Sequence, residues 1–104
     1  MHVQIINFKL VGIVETDYAN LCDELAPAFA AVPGLTTKVW LADSASGVYG
    51  GVYLWDSEAS MRSFASTDLF ASVVSHPNLT DITSREYGVL TGPTTVTSTL
   101  QMTA

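Results

Sequence analysis

Two neighbouring stretches of the chain carry a lysine and three aromatic residues, spaced two or four positions apart within each stretch. Lys38 and Trp40 lie on the first stretch, and Tyr49 and Tyr53 lie on the second. Both stretches are typical of β-strands, and the turn-forming residues 43–47 between them indicate an antiparallel hairpin. If the loop has an even number of residues, the residue numbers of two directly opposed residues add up to an odd number. These four side chains then share one face of the sheet. Such a cluster could stack a planar small molecule and stabilise its phenolate.

Other residues carry groups that suit the same chemistry. Arg85 and Tyr87 share strand parity, so they could enter one cavity together, although an Arg that bridges two subunits is equally ordinary. Asn7 is polar in an otherwise apolar stretch, and a buried amide needs partners, which a neighbouring strand would also supply. Trp55 stands where a strand meets a helix, a place where a Trp usually packs the one against the other.

Structural roles compete with chemical ones on the hairpin as well. Trp40 and Tyr53 suit dimer packing as readily as the lining of a pocket. A lysine in mid-strand commonly extends over apolar neighbours to the rim, and Glu86 would make Lys38 a simple ion pair. The pair Gly50-Gly51 predicts either a bulge or the close approach of a ligand or another backbone, and of these we favour the bulge.

The cysteine and the histidines do not form a recognisable site. Cys22 lies on the apolar stripe of the first predicted helix without a base beside it, which indicates a small core residue. His2 is terminal and His76 precedes a proline at a helix end, so they are not spaced as a metal pair on one element. Because the carboxylates are scattered, the sequence predicts no metal site.

The composition excludes several classes of function. The chain has 104 residues, 48% hydrophobic and 13% charged, which suits one domain. A formal net charge of −6 and only 4 basic residues argue against binding to nucleic acid or to an anionic membrane surface. The single cysteine, the absence of a secretory signal pattern and the lack of an apolar run of ~18 residues together predict a cytoplasmic protein.

Apolar periodicity and capping signals predict the order β-α-β-β-α-β followed by a tail. The predicted strands are Val3–Leu10, Leu35–Ala42, Val48–Trp55 and Ile82–Leu90. Thr16 is the expected N-cap of the first helix, which Pro27 should kink or split. Ser57 or Asp56 should cap the second helical region, and Thr67 should cap a further turn or two.

This order matches the ferredoxin-like α+β fold, an antiparallel sheet with both helices on one face. Residues 1–93 are expected to form the domain, and the tail 94–104 holds a Thr-rich stretch, 94–102, with strand propensity that could pair with a partner subunit. The hairpin carries apolar or aromatic residues on both faces, and neither face belongs in solvent. Because the helices cover only one face, we expect an isologous homodimer whose sheets pack together as a dimeric α+β barrel.

Several strings in the chain resemble one protein family. They are Ala26-Pro27 with Phe29, Val32-Pro33-Gly34-Leu35, Lys38-Val39-Trp40, and Tyr49-Gly50-Gly51-Val52-Tyr53-Leu54-Trp55-Asp56-Ser57-Glu58-Ala59. Along most of its length the chain resembles the YdhR-type monooxygenases of the antibiotic-biosynthesis-monooxygenase-like superfamily. The resemblance implies a homodimeric α+β barrel with a pocket between helices and sheet in each subunit. As in some superfamily members, it also implies oxygenation of aromatic, polyketide-like substrates without metal, flavin or haem.

The expected function is that of a cofactor-independent monooxygenase acting on a planar aromatic or enolisable small molecule. This chemistry needs an apolar aromatic pocket, a group that takes or stabilises a phenolic proton, and donors to the developing oxyanion. The catalytic candidates are Lys38, Arg85 and Asn7, and the substrate-binding candidates are Trp40, Tyr49, Tyr53, Trp55 and Tyr87. Because no complete set of nucleophile, base and orienting group is recognisable, two alternatives stay open: a non-catalytic small-molecule-binding dimer, and a cyclase or isomerase on the same fold.

Haem-degrading relatives on this fold offer a test of haem binding, because they resemble the chain at Asn7 and around Asp68-Leu69-Phe70. Those relatives have a Trp four residues before the aspartate and a haem-ligating His six residues after it. Here the two positions hold Phe64 and Val74, and His76 is nearly half a turn away in helical phase. Haem ligation is therefore disfavoured unless the helix end is irregular, and no cofactor is expected.

Overall fold

The computed structural model describes residues 1–98, in which strands and helices follow the predicted order. The elements are β1 (His2–Leu10), α1 (Glu15–Ala30), β2 (Leu35–Asp43), β3 (Val48–Trp55), α2 (Glu58–Phe64), α3 (Asp68–Val74), β4 (Leu79–Gly88) and α4 (Thr91–Thr97). The strands form one antiparallel sheet in the order β2-β3-β1-β4, which confirms the predicted ferredoxin-like α+β fold. Within these residues, no helix has the length and apolar character needed to cross a membrane.

Strand register divides the sheet into two chemically different faces. On the face that α1, α2 and α3 cover, one row across the sheet is Lys38, Tyr53, Gln4 and Glu86, and the next is Trp40, Gly51, Ile6 and Ser84. On the opposite face, called the open face below, none of the helices α1, α2 and α3 among residues 1–98 is packed. Its rows are Thr37-Leu54-Val3-Tyr87, Val39-Val52-Ile5-Arg85 and Leu41-Gly50-Asn7-Thr83.

The core lies between the helices and the covered face. The predicted apolar stripe of α1 contributes Tyr18 and Phe29, both buried. Trp55 is fully buried, with its ring stacked on Tyr53 and its ring centroid 5.3 Å from that of Phe64 in α2. This Trp at the end of β3 therefore packs the strand against a helix, which is the structural alternative that the sequence offered for it.

Gln4 is the one buried polar side chain in the part of the chain that the structure describes. Its Oε1 accepts a hydrogen bond from Trp55 Nε1 at 3.1 Å, and its Nε2 donates to Ser84 Oγ at 3.3 Å. Replacing Gln4 with leucine removes the acceptor of a buried indole N–H. We expect chemical denaturation to show a free energy of unfolding lower by about 1–3 kcal/mol. The control Ser84→Ala should lower it by about 0.5 kcal/mol, and equal losses in the two variants would contradict this role of Gln4.

The helix ends agree with the predicted caps in the second half of the chain and differ in the first. Ser57 Oγ accepts from the Ser60 N–H at 3.1 Å, and Thr67 Oγ1 accepts from the Phe70 N–H at 3.2 Å, so both predicted caps are confirmed. Helix α1, in contrast, begins at Glu15, which places Thr16 inside its first turn. It also continues through Pro27 to Ala30 without splitting, because a proline removes one helical hydrogen bond and the rest of the last turn retains its own.

The C-terminal stretch is helical where the sequence predicted a strand. Pro93 lies in the first turn of α4. Backbone N–H groups in the first turn have no partner within the helix, so a proline there removes no helical hydrogen bond. The hydroxyls of Thr95 and Thr97 donate to the carbonyl oxygens of Thr91 and Pro93 at 2.7 and 3.2 Å, so these side chains bond back along the helix. The strand prediction is therefore wrong for residues 94–97. Residues 99–104 lie outside the described part of the chain, and pairing of the tail with a partner subunit stays a prediction.

The glycine pair of β3 lies in a regular ladder, so the predicted bulge is wrong. β1 and β3 pair without a shift from His2–Trp55 to Phe8–Tyr49, and the irregularities fall in the pairing of β1 with β4 and at the start of β2. Gly50 has φ +145°, and a Cβ there would collide with the carbonyl oxygen of Ile6 on β1. The close approach of a neighbouring backbone, the other alternative, therefore accounts for this glycine.

Candidate functional site

Three hairpin residues, Lys38, Trp40 and Tyr53, line a cavity of about 230 Å³ between the helices and the covered face of the sheet. The pairings Lys38–Tyr53 and Trp40–Gly51 place them on one face, as the odd-sum argument predicted. Gly51 makes room for the lysine, because a Cβ at this position would lie only 2.8 Å from Lys38 Cε. The second glycine of the pair thus has a role at the site itself.

The Lys38 amine lies among ring faces. Its Nζ is 3.4 Å from the ring centroid of Phe29, 3.4 Å from that of Trp40 and 4.7 Å from that of Tyr53. The ion pairs among residues 1–98 join Arg62 to Glu58 and to Glu86, at 2.9 and 3.6 Å. Glu86 therefore partners Arg62, and Lys38 has no counter-ion in this part of the chain.

Burial lowers the pKa of Lys38 from 10.5 to about 7, because removing water destabilises the ammonium and no carboxylate compensates for it. The aromatic faces attract the charged form and so oppose this shift, but they supply no full negative charge. Near neutral pH the amine is therefore divided between its free-base and ammonium forms. A base with this property is well matched to proton transfer at neutral pH.

Two phenols and a thiol also line the cavity. Burial raises the pKa of Tyr18 and of Tyr53, so both hydroxyls remain protonated donors at neutral pH. Burial likewise raises the pKa of the Cys22 thiol, against the opposing effects of its hydrogen bond with Tyr18 and of the nearby Lys38. The cavity thus combines neutral hydrogen-bond donors with one base that titrates near pH 7.

Helix α1 supplies more of the cavity wall than the sequence indicated. Tyr18, Cys22 and Phe29 all line the cavity, whereas sequence reasoning assigned this stripe to the core. An apolar helical stripe looks the same whether it faces a core or an apolar cavity, because both exclude water. The signal that could have found the site was the polar ends of Tyr18 and Cys22, which stand one helical turn apart on that stripe.

Three predicted site residues lie on the open face. The structure does not bring Asn7, Arg85 and Tyr87 together with Lys38 within one subunit. Asn7 Nδ2 donates to the backbone oxygen of Tyr49 at 3.4 Å, so a neighbouring strand supplies its partner. Arg85 is exposed, and the Tyr87 side chain is 49% exposed.

Tyr49 and Trp55 lie on the covered face but do not line the cavity. The Tyr49 hydroxyl donates to Glu15 Oε1 at 2.9 Å, and its ring meets the edge of Tyr18 with centroids 5.3 Å apart. Trp55 is enclosed in the core, with its indole N–H bonded to Gln4. Tyr49 thus packs against Tyr18 and Trp55 packs against Tyr53, and these two partners line the cavity.

A groove of about 400 Å³ between α1 and β2 adjoins the cavity, since Tyr18, Cys22 and Trp40 line both spaces. Two carboxylates, Glu15 and Asp23, also line this groove. The negative charge of these carboxylates favours the binding of neutral molecules over anions in the groove.

Haem fits this cavity poorly. Helix α3 ends at Val74, and His76 in the turn that follows does line the cavity. However, its Nδ1 accepts a hydrogen bond from the Asn78 N–H at 3.1 Å, which places the ring proton of a neutral imidazole on Nε2 and leaves no lone pair there for iron. The cavity volume of about 230 Å³ is also too small for a tetrapyrrole, since pockets for drug-sized ligands already span ~300–1,000 Å³.

Among residues 1–98, no group of three or more His, Cys, Asp and Glu side chains is placed to hold a metal ion.

Comparison with solved structures finds 33 chains with significant similarity. SnoaB from Streptomyces nogalater, a cofactor-independent oxygenase, is 16% identical, with a TM-score of 0.67 over 86% of this chain and 93% of its own. The haem-degrading protein MhuD from Mycobacterium tuberculosis, with two haems bound in its active site, is 19% identical, with a TM-score of 0.69 over 86% and 96%. A dimeric ferredoxin-like protein of unknown function from Thermobifida fusca is 18% identical, with a TM-score of 0.67 over 86% and 92%. Two further matches are described as antibiotic biosynthesis monooxygenases, one of them as putative.

These structural similarities, at such low identity, establish the fold. A search of curated proteins found no significant match. The family described as "Putative mono-oxygenase ydhR" matches residues 3–100, which is nearly the whole chain. The protein therefore belongs to the ydhR family.

Proposed function

We propose that the protein is a cofactor-independent monooxygenase that oxidises a small planar aromatic or enolisable molecule held in the cavity. Membership of the ydhR family and the fold shared with SnoaB support an oxygenase. The observation that carries the chemistry is the Lys38 amine, which lies against aromatic rings in an apolar cavity without a counter-ion in the described residues.

The cavity suits a compact substrate. The faces of Phe29, Trp40 and Tyr53 offer stacking surfaces around the amine, and the volume of about 230 Å³ favours one or two fused rings. Larger substituents would extend into the groove between α1 and β2.

Proton transfer to Lys38 would begin the reaction. The free amine takes a proton from a phenol, or from a C–H group beside a carbonyl, and leaves a phenolate or enolate in the cavity. The ammonium that forms then lies beside this anion as its counter-ion, in surroundings from which most water is excluded. General bases placed in this way contribute about 10²–10⁴-fold to a rate.

The electron-rich substrate anion would then reduce dioxygen without help from a cofactor. One electron passes to dioxygen, the radical pair combines to a peroxide on the substrate carbon, and the O–O bond breaks. For a methylene carbon, one oxygen atom stays as a carbonyl, and the other leaves as water with the two hydrogens that the carbon has lost. The protonated hydroxyls of Tyr18 and Tyr53 are the available donors to the peroxide oxygens.

A second copy of the chain would cover the open face. This face carries Val3, Ile5, Val39, Leu41, Val52 and Leu54, a continuous aliphatic surface that no helix among residues 1–98 covers. Burial of such a surface stabilises association, and an isologous sheet-to-sheet dimer buries it in both copies at once. The protein from Thermobifida fusca, which has the same fold and is described as dimeric, supports a dimer. Asn7, Arg85 and Tyr87 would then lie at the subunit interface, where Arg85 suits the bridging role.

Oxygen consumption tests the proposed activity. Protein dialysed against a chelator is mixed with phenolic compounds of one or two fused rings and, as larger members of the series, with anthrone-like compounds, and dioxygen uptake is compared with formation of the carbonyl product. We expect one dioxygen consumed for each product molecule, with uptake lost in Lys38→Met and retained in the control Lys9→Met. A ligand that binds and is recovered unchanged under oxygen would refute the oxygenase and favour a binding protein.

A further inference from the structure

Lys38 combines two features that ordinary surface lysines lack. Its amine lies in an apolar, aromatic-lined cavity, and a groove between α1 and β2 shares the lining residues Tyr18, Cys22 and Trp40 with that cavity. The chain contains a second lysine, Lys9 on β1, whose side chain is exposed. The two lysines therefore form an internal comparison between a buried amine and an exposed one.

We propose that Lys38 is also a nucleophilic amine that forms an imine with small aromatic aldehydes and ketones bound in the cavity. A desolvated lysine without a counter-ion is the arrangement that activates amines toward carbonyl groups in proteins. The same apolar walls hold an aromatic ring against the amine and limit the water that would hydrolyse the imine. This reactivity requires no dioxygen, so it goes beyond the proposed oxygenase reaction.

The groups that face the amine leave it free to react. The titratable ones are Tyr18 and Cys22 from α1, Tyr53 from β3 and His76 from the turn after α3. None of the residues that line the cavity is a carboxylate, so no ion pair holds the amine in its protonated form. With a pKa of about 7, a large fraction of Lys38 is unprotonated at neutral pH.

The chemical step needs only the amine, the carbonyl compound and one proton from solvent. The nitrogen lone pair forms a bond to the carbonyl carbon, and the carbonyl oxygen takes up a proton, which the hydroxyls of Tyr18 or Tyr53 can donate. The nitrogen then returns its extra proton to that phenolate, and the hydroxyl group of the resulting carbinolamine leaves as water with one proton from solvent, which gives a protonated imine. The thiol of Cys22 would give only a hemithioacetal, which borohydride reagents do not convert into a stable adduct.

Reductive trapping under nitrogen tests the inference separately from the oxygenase. The protein is incubated at pH 7 with benzaldehyde and cyanoborohydride, which reduces the protonated imine to a stable secondary amine, and adducts are located by peptide mass spectrometry. At this pH an ordinary lysine is only about 0.04% unprotonated, so even with the lower nucleophilicity of a less basic amine we expect Lys38 to be modified at least about tenfold faster than Lys9. Between pH 7 and pH 9 the rate at Lys38 should level off, because most of this amine is already unprotonated above its pKa of about 7.

Two variants keep this test decisive. Lys38→Met keeps an unbranched apolar side chain in the cavity, and Lys38→Arg keeps a charge that cannot act as a nucleophile. Both should remove the fast adduct and leave modification of Lys9 unchanged. Equal rates at Lys38 and Lys9 in the unaltered protein would overturn the inference, and loss of oxygen uptake would bear only on the proposed function.

Discussion

Lys38→Met is expected to lower the rate of oxygen consumption by about 10²–10⁴-fold, the usual contribution of a positioned general base. The methionine side chain fills a similar volume against Phe29 and Trp40, so the substrate should still bind and the loss should appear in kcat more than in KM. Steady-state oxygen uptake measures both constants. A variant that retains more than about a tenth of the activity would show that the amine is not the base.

Unfolding measurements separate this loss of chemistry from a loss of structure. Because the pKa of Lys38 is lowered to about 7 in the folded protein from 10.5, the unfolded chain binds more protons between these two values. The stability of the unaltered protein should therefore rise with pH across this window, whereas that of Lys38→Met should lack this rise. The free energy of unfolding of Lys38→Met, taken relative to that of the unaltered protein at the same pH, should accordingly be higher at pH 6 than at pH 10, because the variant has no ammonium to bury. A variant that loses stability equally at both values would contradict the burial of a charge at this position.

Val39→Asp is expected to convert the proposed dimer into monomers. Val39 is 50% exposed in the single chain and lies in the Val39-Val52-Ile5-Arg85 row of the open face, so a carboxylate there is tolerated in a monomer and loses its water in a sheet-to-sheet dimer. An unpaired charge buried at an interface costs several kcal/mol, which corresponds to a dimer Kd raised about 100-fold or more. Light scattering over a dilution series measures this change.

The matched control is Val74→Asp. Val74 is 42% exposed on α3, on the helical side of the molecule, so the same substitution adds the same charge away from the open face. This variant should remain dimeric with an unchanged Kd. If both variants dissociate equally, or if the unaltered protein is monomeric at all concentrations, the open face is not the interface.

The fold and the hairpin could be predicted because their signals are local. Side chains alternate between the two faces of a strand, and the loop has an even number of residues. These two facts place Lys38, Trp40 and Tyr53 on one face without any knowledge of distant residues. The helical stripe that contains Tyr18 and Phe29 is a signal of the same kind. The C-terminal helix was not predictable in this way, since threonines favour a strand and a proline in a first turn favours a helix, and the local hydrogen bonds decided between them.

Strand parity could not predict which residues belong to the candidate site, because that depends on contacts between residues far apart in the chain. Parity showed that Arg85 and Tyr87 share a face, but only the pairing of Arg85 with Ile5 shows that this face lies opposite the helices. The position of Asn7 on the same open face likewise follows only from the pairing of the strands. The contribution of Cys22 was missed because helix packing, and not the strand pattern, brings α1 over Lys38. Local pattern thus identified the amine and two of its rings, and tertiary packing completed the cavity.

The titration of Lys38 itself is the most direct test of the account. With only Lys9 and Lys38 in the chain, both side chains can be followed by NMR in protein labelled at the lysine Cε carbon. The account predicts a midpoint of about 7 for Lys38. A Lys38 curve with its midpoint near the ordinary lysine value of about 10.4 would show a fully charged amine at neutral pH, and would contradict both the base and the nucleophile assigned to this residue.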